Sequence, residues 1–132
     1  MSLKRGESYL YFRFHGNYSS PYTNQPYGIF VVIFHLQRDG KLSDEDSKLY
    51  DETVGWFEEH LPNPPFYEGG NPIRAVTWFK ENNHSKIMIE KLTAFLNIAK
   101  NYGVEIIKSV SQEPPGEIVY EDEYQIGVVM AT

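Results

Sequence analysis

Six side chains in residues 67–80 could bind a ligand or a protein partner. They are one phenol, one carboxylate, one amide, two cations and one indole: Tyr67, Glu68, Asn71, Arg74, Lys80 and Trp78. A guanidinium and an indole on one surface suit a planar or anionic ligand, or the centre of an interface, because the first donates paired hydrogen bonds and the second stacks. The alternative is that Trp78 belongs to the core, while Arg74 and Lys80 extend to solvent and pair with nearby glutamates.

Two further residues could move a proton. His15 ends an alternating run and precedes Gly16, so it lies at a strand end from which its side chain can reach a pocket. Glu121 begins the acidic run Glu121–Asp122–Glu123, which could serve acid–base chemistry or hold a divalent metal. The simpler interpretation of this run is a solvated hairpin turn, because only alternate side chains of a strand share a face. His15 and Glu121 are therefore weak catalytic candidates, and no catalytic residue is assigned.

Two hypotheses about function use these residues differently. The first is a non-catalytic binding or interaction module, which associates with itself or with a protein partner. The second is a small enzyme or ligand-binding domain, whose pocket for an anionic ligand joins Arg13, His15, Tyr67, Arg74 and Tyr120. The pocket requires the first two strands to be neighbours, so that both arginines converge. We prefer the interaction module, because the chain has ten tyrosines, an acidic balance and no catalytic signature.

The composition argues against several classes of function. A net charge of −6 without any basic run argues against nucleic-acid binding. No apolar segment approaches the roughly 20 residues that span a bilayer, so we expect no membrane association. The chain has no cysteine, which removes thiolate nucleophiles and is compatible with a cytoplasmic location. The four histidines lack metal-binding spacing and no nucleotide motif is present, so we expect neither a metal nor a cofactor.

Strands are predicted where apolar and polar side chains alternate. These segments are Ser8–His15, Ile73–Lys80, Val104–Ser111 and one or two strands within Glu117–Met130, broken near residues 121–123. In the second strand, the alternation places Arg74, Trp78 and Lys80 on one face. The tyrosine-rich segment Gly16–Tyr27 is expected to be a loop.

Three helices are predicted between the strands. They cover about Tyr27–Asp39, then Asp44–Leu61, then a segment from a cap among Asn82, Asn83 and Ser85 to about Tyr102. The first is ambiguous, since its β-branched and aromatic residues favour a strand, but Gly40 is typical of a helix C-terminus. Ser43 and Asp46 form a capping box that begins the second helix, and Gly103 ends the third.

The connection Leu61–Pro72 contains four prolines, so it can form neither a helix nor an inner strand. With its aromatic residues, we expect it to be a rigid corner rather than a flexible linker. The order of elements predicts an α+β fold, with a mixed four- to five-stranded sheet and about three helices packed mainly on one face. The strand after the third helix would run parallel to the strand before it. We expect one domain over residues 1–132, with residues 1–7 as a disordered or artificial segment.

Four runs of the sequence resemble a family of small single-domain bacterial proteins for which no activity is established. The runs are YFRFH, GIF followed by GKLSDED, WFEEHLPNPPFYEGGNPIRAVTWFK and PPGEIVYEDEYQIGVV. The resemblance would cover nearly the whole chain. It implies a cytoplasmic bacterial domain with a shared site around these runs, and it implies no particular chemistry.

Overall fold

The computed structural model describes residues 10–130, in which three helices pack on a six-stranded sheet. The helices are α1 (Ile29–Arg38), α2 (Asp44–His60) and α3 (Lys86–Asn101). The strands are β1 (Tyr11–Ser19), β2 (Pro26–Gly28), β3 (Val76–Lys80), β4 (Ile107–Ser111), β5 (Gly116–Glu121) and β6 (Gln125–Met130). The predicted α+β class is confirmed. Neighbouring strands in the described part of the chain are antiparallel, where a mixed sheet was expected.

Strand β1 changes partners along one of its edges. It pairs with β3 only at Tyr11 and Phe12, and with β2 from His15 onward. Strand β4 pairs with β1 from Tyr11 to His15 and so overlaps both pairings, which places β4 at the opposite edge. Strands β2 and β3 therefore share one edge of β1, and Arg13 and Phe14 lie between the two pairings. The sheet is open beside these two residues.

Strands β3 and β4 both run antiparallel to β1, which lies between them. They are therefore parallel to each other and joined through α3, and the predicted parallel orientation is confirmed. Strand β3 begins at Val76 rather than at Ile73. Arg74 has a φ of 56°, and its N–H donates to Asn71 O in a turn. The prediction that Arg74 lies on the same strand face as Trp78 is therefore wrong. Arg74 lies in a turn before β3, and the alternation of apolar and polar residues extends from the strand into that turn.

Three of the helix ends follow the local signals in the sequence, whereas Ser85, the N-cap residue of α3, makes no side-chain capping hydrogen bond. The ambiguous segment is the helix α1, and Gly40 follows it with a φ of 71° while Lys41 N–H donates to Leu36 O at 3.0 Å. Ser43 accepts a hydrogen bond from Asp46 N–H at 3.1 Å, as the capping box predicted. Gly103 also has a φ of 71°, which a residue without a side chain adopts readily.

The segment Gly16–Tyr27 is not a loop throughout, which corrects the prediction. Strand β1 continues to Ser19, and Pro26 begins β2, with an irregular register between the two pairings. This pairing supplies backbone hydrogen bonds to residues that show no apolar alternation. The sequence pattern therefore could not reveal it.

The core lies on both faces of the sheet. On one face, Phe12 and Phe79 stack with ring centroids 5.5 Å apart and pack against apolar residues of all three helices. On the other face, strand residues form a second cluster: Tyr11, Val76, Trp78, Ile126 and Val128. None of the helices in residues 10–130 has the length and apolarity that crossing a membrane requires.

Candidate functional site

A cavity of about 770 Å³ lies beside the opening between β1, β2 and β3. Its wall is mainly apolar, from the sheet, the start of α1, the end of α2 and the loop after α2: Phe14, Ile29, Phe30, Val54, Phe57, Leu61, Pro62, Pro64 and Phe79 among others. Polar groups of Arg13, Tyr67, Asn71, Thr77 and Gln125 interrupt this wall. Cavities of roughly 300–1,000 Å³ with mostly apolar walls and a few polar groups are typical of small-molecule sites.

Arg13 is the only cation among the described residues that line the cavity. Its Nη2 donates to Pro26 O at 2.7 Å. No carboxylate of residues 10–130 forms an ion pair with it. Burial lowers the pKa of the guanidinium, and Tyr67 partly opposes this shift. An arginine still remains charged at neutral pH, so the cavity wall holds a partly buried positive charge that forms no ion pair with a carboxylate of residues 10–130.

Tyr67 places a neutral hydroxyl beside this cation. It ends a 3₁₀ turn (Pro65–Tyr67), and although 40% of the residue is exposed, its hydroxyl lies near Thr77 and Arg13. Burial raises the pKa of Tyr67, while the nearby Thr77 hydroxyl and the charge of Arg13 oppose the shift. The phenol is therefore protonated at neutral pH. Tyr67 can donate or accept a hydrogen bond at the cavity, but it is a poor base there.

The loop that carries Tyr67 is fastened to β6 and to itself. Gln125 Nε2 donates to Pro62 O at 2.8 Å, and the Phe66 ring lies over Gly127, where a Cβ would meet Phe66 Cε2 at 2.5 Å. Asn71 has a φ of 57°, accepts from Ala75 N–H at 3.0 Å and donates to Ala75 O at 2.9 Å. These contacts give the loop a defined path and hold Tyr67 over the cavity.

The N-terminus of α1 opens toward the same cavity. Gly28 is the N-cap residue, no side chain caps it, and the first turn contains no acidic residue. Gly28, Ile29, Phe30 and Val31 all line the cavity. A Cβ at Gly28 would lie 3.5 Å from Arg13 Nη2, so the start of the helix and the guanidinium are neighbours. The free N–H groups of a first helical turn favour negative charge, in the same direction as Arg13.

The structure does not bring together the five residues of the predicted pocket. Arg13 and Tyr67 line the cavity, but His15, Arg74 and Tyr120 do not. His15 is 8% exposed, its Nδ1 donates to Gly16 O at 2.8 Å, and its Nε2 is hydrogen-bonded to the Ser109 hydroxyl at 2.7 Å. This is a structural histidine with both ring nitrogens occupied.

Arg74 and Tyr120 also have other partners. The Arg74 guanidinium lies over the Tyr22 ring, 5.0 Å from its centroid. Tyr120 donates to Asp122 Oδ2 at 2.7 Å. Of the two arginines of the predicted pocket, Arg13 therefore lines the cavity and Arg74 does not.

The acidic run is a hairpin turn, in agreement with its simpler interpretation. Asp122 Oδ1 accepts from the N–H groups of Tyr124 at 2.8 Å and Gln125 at 3.0 Å. Glu121 forms an ion pair with Lys80 at 2.5 Å. In the part of the chain that the structure describes, no group of three or more His, Asp or Glu side chains could hold a metal ion.

The remaining predicted binding residues divide between the cavity and the surface. Asn71 and Trp78 line the cavity, whereas Glu68 is exposed and does not. Trp78 also belongs to the second core cluster, as the alternative interpretation predicted, and its role in binding stays a prediction. Its Nε1 is the one buried side-chain nitrogen or oxygen in residues 10–130 without a hydrogen-bond partner.

Sequence reasoning missed Phe14, Thr77, Gln125 and the start of α1 as parts of the site. No local pattern marks them, because they meet only through long-range strand pairing. Comparison with protein-family models, curated proteins and solved structures gives no match for this chain. The resemblance to the bacterial family stays a prediction, and the site is interpreted from its geometry.

Proposed function

We propose that the domain binds a small organic anion in this cavity and does not change it chemically. One observation carries the proposal: Arg13 is a partly buried cation at an apolar cavity, and no carboxylate in residues 10–130 neutralises it. A buried charge without a partner destabilises a fold, so such a charge at an accessible cavity favours a ligand that supplies the opposite charge. The uncapped first turn of α1 adds to the same electrostatic preference.

The groups around Arg13 suit binding better than proton transfer. Tyr67 is held in its neutral form by burial, so it offers a hydrogen bond rather than a base. The histidine that was a catalytic candidate, His15, is bonded through both ring nitrogens away from the cavity. Glu121 is paired with Lys80 and does not line the cavity. This arrangement supports a binding domain rather than an enzyme.

Two ligands with the same alkyl chain and opposite charge test the proposal. NMR titration of the ¹⁵N-labelled protein with octanoate should shift amide signals of Gly28, Phe30 and Thr77, and octylammonium should shift them far less. Arg13→Gln should weaken octanoate binding about tenfold or more, because a hydrogen bond to a charged group is lost. The matched control is Arg74→Gln, which removes an arginine outside the cavity and should leave binding unchanged. Equal binding of both ligands would refute the proposal.

A second candidate function, self-association, is favoured by apolar side chains on the outer surface of α1. Val31 is 38% exposed and Phe34 is 46% exposed, beside Tyr18, Tyr27 and His35, whose rings contact one another. Light scattering after size exclusion would show a dimer that Phe34→Ser converts to a monomer. The control is Ile87→Ser, which changes an exposed apolar residue of a different helix, α3. A monomer at all concentrations would refute this second candidate.

A further inference from the structure

The cavity carries little net charge. Among its described lining residues, only Arg13 and Glu58 have charged side chains. Glu58 is exposed in the last turn of α2, so its carboxylate lies at the mouth of the cavity rather than inside it. The other lining groups are neutral. The site can therefore compensate one negative charge at Arg13, and Glu58 at the mouth repels a dianion more strongly than a monoanion.

We infer that the ligand is an amphipathic monocarboxylate, an inference that rests on the proposed function. A guanidinium binds a carboxylate through two parallel N–H groups. The bond to Pro26 O uses one Nη2 hydrogen of Arg13, which leaves one such pair of N–H groups for a ligand. The neutral hydroxyls of Tyr67 and Thr77 lie nearby and can complete the coordination of the carboxylate oxygens.

A phosphate monoester fits the same site poorly. Its charge is about −1.5 to −2 at neutral pH, and only part of that charge would be compensated by one guanidinium. The remaining charge would lie against apolar side chains, where an unpaired charge is strongly unfavourable. Cavities that bind phosphate usually present several cations or a glycine-rich helix start, whereas this cavity presents Arg13 and one uncapped helical turn.

The apolar wall requires a ligand with a substantial hydrocarbon part. Phe30 and Phe57 meet edge to face with centroids 5.0 Å apart, and both line the cavity together with Phe14. Each methylene buried against such a wall strengthens binding by about 0.8 kcal/mol, or roughly fourfold in affinity. Acetate should therefore bind far more weakly than octanoate, although both present the same head group.

Calorimetric titrations with octanoate, mono-octyl phosphate and 1-octanol compare three head groups on one alkyl chain, at about pH 8 where the phosphate is a dianion. Octanoate should bind about tenfold or more tightly than either of the others. Arg13→Gln should remove the advantage of octanoate over octanol, and Arg74→Gln should preserve it. Glu58→Gln should bring mono-octyl phosphate closer to octanoate, because it removes the negative charge at the mouth.

The outcomes separate this inference from the proposed function. Mono-octyl phosphate that binds as tightly as octanoate, or more tightly, would overturn the monocarboxylate inference and leave an organic-anion site standing. If octanol binds as tightly as octanoate, or if neither anion binds, both the monocarboxylate inference and the proposed function are overturned. If Arg13→Gln does not fold, as its circular dichroism would reveal, the wild-type ranking of the three ligands still decides between these results.

Discussion

The contact between Phe66 and Gly127 can be tested by substituting alanine at Gly127. A Cβ there would lie 2.5 Å from Phe66 Cε2, 2.8 Å from Cζ and 3.3 Å from Tyr120 Cβ. Carbon atoms pack at about 3.5–4.0 Å, so the Phe66 ring must retreat by about 1 Å. Because Tyr67 follows Phe66, the same displacement reaches the cavity. Gly127→Ala should therefore weaken octanoate binding as well as the fold.

The free energy of unfolding distinguishes the steric clash with Phe66 from the stabilisation that replacing glycine by alanine usually gives. Overpacking costs about 1–3 kcal/mol, whereas replacing glycine by alanine at a compatible position stabilises by about 0.4–1 kcal/mol through the unfolded chain. We expect a net loss of about 1 kcal/mol or more in the wild type. In a Phe66→Ala background the ring is absent and only the 3.3 Å contact with Tyr120 Cβ remains, so the same substitution should be close to neutral. The coupling energy between the two positions should then exceed about 1 kcal/mol.

Urea unfolding of the four proteins of this double-mutant cycle, followed by tryptophan fluorescence, measures the coupling. The control is Gly55→Ala in α2, where a Cβ would meet nothing within 4 Å, and it should stabilise the fold by about 0.5–1 kcal/mol. If Gly127→Ala costs the same with and without Phe66, the ring does not limit the space at Gly127. The loop would then not be fastened to β6 through this contact.

Three other experiments test separate parts of the structure. Ser43→Ala should cost about 1 kcal/mol in urea unfolding, because the N–H of Asp46 loses its capping partner. Asn71→Ala should destabilise more than Asn71→Gly by the same assay, since glycine accepts the φ of 57° and both variants lose the side-chain hydrogen bonds. Burial and then Asp122 raise the pKa of Tyr120 to about 12, so its contribution to stability is present below pH 10 and is lost as the pH rises toward 12. Ultraviolet titration should detect this late ionisation, and Asp122→Asn should lower the pKa.

The fold could be predicted where short-range chemistry decides the backbone. Ser43 with Asp46 at one helix start and Gly40 and Gly103 at two helix ends are complete signals within a few residues, and the structure uses all of them. Strand limits were less predictable, because pairing depends on a distant segment. Arg74 continues the alternation of β3 in sequence, but its positive φ places it in a turn that Asn71 stabilises. The alternation of apolar and polar residues does not by itself distinguish a strand residue from a turn residue that precedes the strand.

The candidate site depends on a feature that no local pattern encodes, namely the point at which β1 changes partners. By alternation, Arg13 should share a face with Tyr11, which is 1% exposed in the second core cluster, and Phe14 should point to the helices. Yet Arg13 and Phe14 both line the cavity. The Arg13 side chain can reach Pro26 and the cavity because neither β2 nor β3 pairs with β1 beside it. A continuous β1–β3 pairing would close this opening and bury the guanidinium, so the gap in the sheet gives the Arg13 side chain, which has no carboxylate partner in residues 10–130, access to the cavity.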